Sequence, residues 1–144
     1  MTATAVRGWL LDTHALLWML HGDKRLSKKA AQAIDGNLPL YHSSASFWEI
    51  AIKLSGKGFD FELTDDWNQS YPEELMRIGV PLLSPTIDDC RLLQELPKHH
   101  GDPFDRMLVC QAKRQGLGII SVDEVIDAYR RRRPRETLLA KQSL

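Results

Sequence analysis

The chain has 144 residues, 43% of them hydrophobic and 26% charged, a composition that fits one globular domain large enough to bury a core. Its 19 basic residues balance 19 acidic ones, so nucleic-acid binding by overall charge is excluded and any such binding needs a local patch. Two cysteines, Cys90 and Cys110, exclude a disulfide framework or a thiolate zinc site and read as buried reduced thiols, while no apolar run approaches bilayer length and residues 1–7 lack the apolar core of a signal peptide, which makes a cytoplasmic location the expectation.

Residues 8–12 read as a short buried strand, and Asp12-Thr13 offers the cap of a helix over 14–20. His21-Gly22-Asp23 breaks that helix. Ser27 caps a second one, 28–34, which ends near Gly36. Residues 38–42 form a second strand with Pro39 near its start. Ser43 and Ser44 precede a helix over 45–54. In it Phe47, Ile50, Ala51 and Leu54, at i, i+3, i+4 and i+7, are the expected core stripe.

Residues 59–79 are a helical excursion in two pieces, one capped by Thr64 and one begun by Pro72-Glu73-Glu74. Residues 80–83 make a third strand. A helix opens at Thr86 and runs to Leu96, 97–101 is a loop, and Asp102 begins a strong helix to Gln115 that Gly116 closes. Residues 117–122 are the last strand, and 123–129 a short helix or turn. Arg130 to Arg133 and Arg135 form a basic cluster, for which a solvated tail is the plain reading. Strands alternating with helices predict an α/β fold with a parallel sheet, in one domain over 1–144 that carries a basic C-terminal segment, 130–144.

Four carboxylates lie in or at the end of apolar runs: Asp12, Glu49, Asp105 and Asp123. Such groups are costly to desolvate unless paired with cations or metal. In an open parallel sheet, ligands gather beyond the carboxyl ends of the strands. Asp12 and Asp123 each follow a predicted strand and would emerge on the same edge, although either one alone is as well read as a helix cap. Asp102-Pro103 has the form of an N-cap with proline at the first helical position. Asp105 then falls in the first turn, where a carboxylate favours the helix dipole. It also shares a face with Leu108, Val109 and Ala112, so it is placed on the inward side. Glu49 lies beside the core stripe, four residues before Lys53, and ion pair and metal ligand remain level readings. His99 and His100 lack further nitrogen or sulfur ligands at a zinc spacing, and His14 reads as structural. Gly116-Leu117-Gly118 joins helix to strand, the wrong order for a dinucleotide loop. An all-carboxylate set suits Mg2+ or Mn2+, and phosphodiester hydrolysis is its natural chemistry. Lys98, Arg106 and the arginine cluster are candidates to offset backbone charge.

These residues together resemble the PIN domain and, within it, the VapC-type toxins of bacterial toxin–antitoxin pairs. The segments that carry the resemblance are Leu10-Leu11-Asp12-Thr13-His14, Ser44-Ala45-Ser46-Phe47-Trp48-Glu49-Ile50-Ala51-Ile52-Lys53, His100-Gly101-Asp102-Pro103-Phe104-Asp105-Arg106 and Ile120-Ser121-Val122-Asp123. The resemblance implies a three-layer α/β/α fold with a central, mostly parallel sheet. It implies an endoribonuclease dependent on Mg2+ or Mn2+ that acts on single-stranded RNA as a growth-inhibiting toxin. Asp12, Glu49, Asp105 and Asp123 take the catalytic and metal-binding roles, with Thr13 and Ser121 in support. A homodimer and an antitoxin that inserts into the cleft are implied as partners, and no membrane. Similar chains continue after the last acid with a glycine and a short apolar strand. Here four arginines follow Tyr129 instead, an expected extra contact to RNA or partner. The alternatives are a non-catalytic binding module of the same fold and a DNA-directed nuclease; a phosphotransfer module would want a second acid near Asp12, where His14 stands.

Overall fold

The computed structural model describes residues 5–97, 102–121 and 125–126. In chain order these form β1 (Trp9–Leu11), α1 (Thr13–His21), α2 (Lys28–Ile34), β2 (Leu40–Ser43), α3 (Ser44–Leu54), α4 (Trp67–Arg77), β3 (Leu82–Leu83), α5 (Ile87–Glu95), α6 (Pro103–Gln115), β4 (Gly118–Ile120) and β5 (Val125–Ile126). The sheet order is β3-β2-β1-β4-β5. The first four strands pair in parallel, with Leu10 opposite Tyr41 on one side and Ile119 on the other. β5 runs antiparallel to β4, with Val125 opposite Ile120. A central, mostly parallel sheet inside an α/β/α fold is therefore what the chain builds.

Side chains alternate across a strand, so neighbouring residues feed opposite layers. Leu10 and Ile119 pack with Leu108, Val109 and Ala112 of α6. Leu11 and Ile120 pack on the other face with Ala15 and Leu16 of α1, Ala30 of α2 and Leu75 of α4. A third cluster joins Leu17, Ile50 and Tyr71, holding α3 to α1 and α4. Gly8 permits the strands to approach: a Cβ there would stand 2.8 Å from the Pro39 carbonyl oxygen. Gly116 caps α6 at φ 72°, a left-handed conformation that glycine adopts without strain, and so turns the chain directly into β4. No described helix is long and apolar enough to cross a membrane.

Several expectations need correction. Residues 125–126 are a strand, not part of a helix or turn, because Val125 and Ile126 complete the edge of the sheet beside Ile119 and Ile120. The excursion holds one helix rather than two. Pro72 lies inside α4, and the burial of Tyr71 and Leu75 on either side holds the helix across it. Thr64 does not cap that helix; its hydroxyl meets Ser70 Oγ at 3.1 Å instead. The inward face of α3 is Ala45, Ser46, Glu49 and Ile50, whereas Ala51 and Leu54 are exposed. Cys90 is exposed and Cys110 buried, and burial pushes the Cys110 thiol up to about 12. The arginine cluster lies outside the described residues.

Candidate active site

β1 ends at Leu11, and the Asp12 amide still donates to Ile120 O at 2.9 Å, so Asp12 stands at the carboxyl edge of the central strand pair. Its extended backbone and side chain cap α1, with Oδ1 accepting from the Ala15 amide at 2.9 Å. The next residue, Thr13, is buried and donates from Oγ1 to Ser46 Oγ at 3.0 Å. This bond ties the first turn of α1 to the first turn of α3, which Ser43 caps at the end of β2. Ser121, also buried, follows β4 on the same edge.

α6 enters this edge because a short turn links it to β4, which makes it run back antiparallel to that strand. Its first turn is held by Asp102, whose Oδ1 accepts from the amides of Phe104 and Asp105 at 2.9 and 3.3 Å. Phe104 meets the exposed Trp48 of α3 edge-on, with ring centroids 5.3 Å apart. The two helices therefore bring Glu49 and Asp105 into one neighbourhood.

Glu49 is buried to 4% exposure. Lys53 Nζ meets its Oε2 at 3.2 Å, while its Oε1 is buried with no hydrogen-bond partner among the described residues. The ion pair foreseen on the helix surface exists, but its acid points inward. Burial first, then the charges of Asp102 and Glu49, push the Asp105 carboxyl up to about 7. Lys53 opposes that rise. Burial and the nearby Lys53 lower the pKa of His14, which packs its ring edge-on against Trp18 and Phe59. His14 is thus a structural side chain at the rim of the carboxylate region.

Of the four expected acids, Glu49 and Asp105 are brought together, Asp12 stands at the same sheet edge, and Asp123 lies outside the described residues. Asp102 is the cap that its Asp-Pro context predicted, and it also adds negative charge beside Asp105. Arg106 is not turned toward a substrate. It is buried, and its guanidinium donates to the Pro97 and Leu93 carbonyls at 2.9 and 3.4 Å, closing the end of α5. Lys98, His99 and His100 lie outside the described residues. Ser46 was missed by sequence reasoning; its spacing four residues before Ile50 of the expected core stripe was the available signal.

Among the described residues no three His, Cys, Asp or Glu side chains lie close enough together to hold a metal ion. Two features nevertheless fit a hard divalent cation. One is the buried carboxylate oxygen of Glu49 that has no partner among the described residues, and the other is an Asp105 carboxyl that burial and its acidic neighbours raise to about 7. Both defects are relieved by added positive charge with oxygen preference.

The chain is similar in sequence to known proteins. A family profile described as PIN domain matches residues 9–132. Ribonuclease VapC22 of Mycobacterium tuberculosis is 28% identical over 127 residues, covering 87% of this chain and 94% of its own length.

Proposed function

The chain belongs to the PIN domain family, and from that premise we propose that it is a divalent-metal-dependent endoribonuclease acting as the toxin of a toxin–antitoxin pair. The observation that carries the reading is the buried Glu49 carboxylate, whose Oε1 has no partner among the described residues and whose charge reaches Asp105. The likeness to ribonuclease VapC22 supports RNA as substrate and an antitoxin as partner.

In this reading Asp12, Glu49, Asp105 and Asp123 hold Mg2+ or Mn2+. The ion would supply charge stabilisation to the scissile phosphate and activate the attacking water. The chain's own residues orient the site. Thr13 and Ser46 lock the first turns of α1 and α3 together. Lys53 fixes one oxygen of Glu49 and leaves the other available. Asp102 pins the first turn of α6, so that Asp105 stays on the sheet side of the helix. A single domain with its basic segment 130–144 as an added RNA or partner contact, a homodimer and a cytoplasmic location complete the proposal. The exposed Trp48 on α3 supports a covered protein surface there.

The test is cleavage of single-stranded RNA by the purified protein with and without divalent ion. Cutting is expected only with Mg2+ or Mn2+, and a folded Asp12→Asn variant should lose at least about a hundredfold in rate, as when a transition-state charge contact is removed. Unchanged cleavage by that variant would overturn the assignment. A folded protein that binds RNA yet never cuts it is the outcome expected of a non-catalytic module.

A further inference from the structure

Beside the carboxylate edge lies a cavity of about 410 Å³. Its walls come from His14 and Trp18 of α1, Ile52 and Lys53 of α3, and the segment 56–60. It is continuous with the site in chain terms on both sides: Lys53 is the residue that holds Glu49 at 3.2 Å, and His14 is two residues past Asp12. The size falls in the roughly 300–1,000 Å³ range of small-ligand clefts.

Its lining is aromatic and carries charges of both signs. The His14 ring meets Trp18 and Phe59 edge-on at 6.2 and 5.6 Å. The Arg25 guanidinium lies 4.4 Å from the centre of the Trp18 ring and also engages Asp60 at 3.1 Å. Arg25 is shared between Asp60 and Asp23, the latter at 2.9 Å, and Lys53 is paired with Glu49, which leaves Lys57 as a wall cation with no ion pair among the described residues. Gly58 leaves the rim open, since nothing lies within 4 Å of where its Cβ would be. The Trp18 indole Nε1 is buried and has no acceptor among the described residues.

We propose that this cavity is a nucleotide subsite, which takes the base and a phosphate of a single-stranded RNA nucleotide flanking the bond that is cut. Trp18 and Phe59 border the base, and Lys57 meets the phosphate. Aromatic rings beside cations are the general means of holding single strands without sequence preference. The assignment rests on the ribonuclease reading, and its test separates the two.

The full-length 15N-labelled protein is titrated with hexauridylate in EDTA and followed at the Trp18 indole N–H resonance. That resonance is expected to shift and saturate. Phe59→Ala should weaken binding by roughly five- to a hundredfold, the loss for one stacked base. Lys57→Ala, at an exposed position, should also weaken it, with a shallower salt dependence. In Mg2+ its cleavage KM should rise by more than kcat falls. Saturation with the Trp18 resonance unmoved overturns the subsite, as does unchanged affinity in Lys57→Ala. Cutting in Mg2+ with an unmoved Trp18 resonance removes the subsite alone. A shifted Trp18 resonance without cutting in Mg2+ removes the ribonuclease reading and keeps the RNA contact. A resonance moved by an antitoxin peptide but not by RNA makes the cavity a protein dock and overturns the proposal.

Discussion

Asp105 shows how one side chain records its surroundings. Burial and two neighbouring carboxylates raise its pKa to about 7, against about 3.9 for an unperturbed aspartate. In the metal-free protein it therefore carries a proton at pH 6, and a cation taking its place must expel that proton. Titration calorimetry in buffers of differing ionisation enthalpy should show proton release on Mg2+ binding at pH 6 and little at pH 8. Asp105→Asn should abolish the difference; equal release by that variant would mean the proton comes from elsewhere. Glu49 makes the complementary point. Its i+4 partner Lys53 was legible from spacing, but its inward direction was not, because α3 is rotated from the stripe that Phe47, Ile50, Ala51 and Leu54 suggested. Trp48 and Ile52 remain exposed on that helix. Periodicity assumes that apolar residues mark the buried side, and a helix that also serves a polar site and an outer apolar surface breaks the assumption.

At the scale of elements, α5 and α6 are fastened by polar groups as much as by apolar ones. Asp89 is fully buried, and its Oδ1 receives Arg114 Nε at 2.6 Å while its Oδ2 accepts the Thr86 amide at 2.8 Å in a capping box. Arg106 closes the other end on the Leu93 and Pro97 carbonyls. Arg114→Ala would leave a buried carboxylate held only by backbone amide and charge at a distance. It should destabilise by about 2 kcal/mol, less than a fully buried pair because Arg114 is partly exposed. Glu74→Ala, which breaks the exposed pair with Arg77 on α4, should leave the denaturation midpoint unchanged. If the two variants unfold alike, the Asp89 network is not what secures α5. The same face is linked by Ser43, which donates to Gln111 Oε1 at 2.6 Å, and by the Gln111 amide reaching Leu83 O at 3.3 Å. These bonds set α6 across β2 and β3, and with it the position of Asp105.

For the whole molecule, the raised Asp105 pKa has a consequence for stability. The unfolded chain gives up this proton near pH 4 and the folded one near pH 7. Between those values the native state binds more protons, so the Asp105 contribution makes stability fall as pH rises. Metal-free protein should lose melting temperature from pH 5 to 7 relative to Asp105→Asn. Saturating Mg2+ should restore it, since an ion that binds only the native state stabilises by mass action. A wild-type profile parallel to that of the variant would show that Asp105 is not the group responsible. A neutral net charge gives the molecule no long-range pull on RNA, so on the proposed reading substrate capture depends on local cations such as Lys57.

The sequence by itself determined the order of β1 to β4 and of the helices outside 59–79, the caps at Asp12, Ser27, Thr86 and Asp102, and the inward placing of Asp105. Those features depend on local hydrogen bonds and on 2- and 3.6-residue periods, which adjacent residues specify. The antiparallel β5 was not legible, because two residues carry too little pattern to compete with the turn chemistry around them. Tertiary structure alone decided that Glu49 is buried, that Arg106 serves α5, and that Trp18, Lys53 and Lys57 border one cavity. Each of those facts depends on which helix faces which across the sheet, and that is fixed by non-local contacts between segments far apart in the chain.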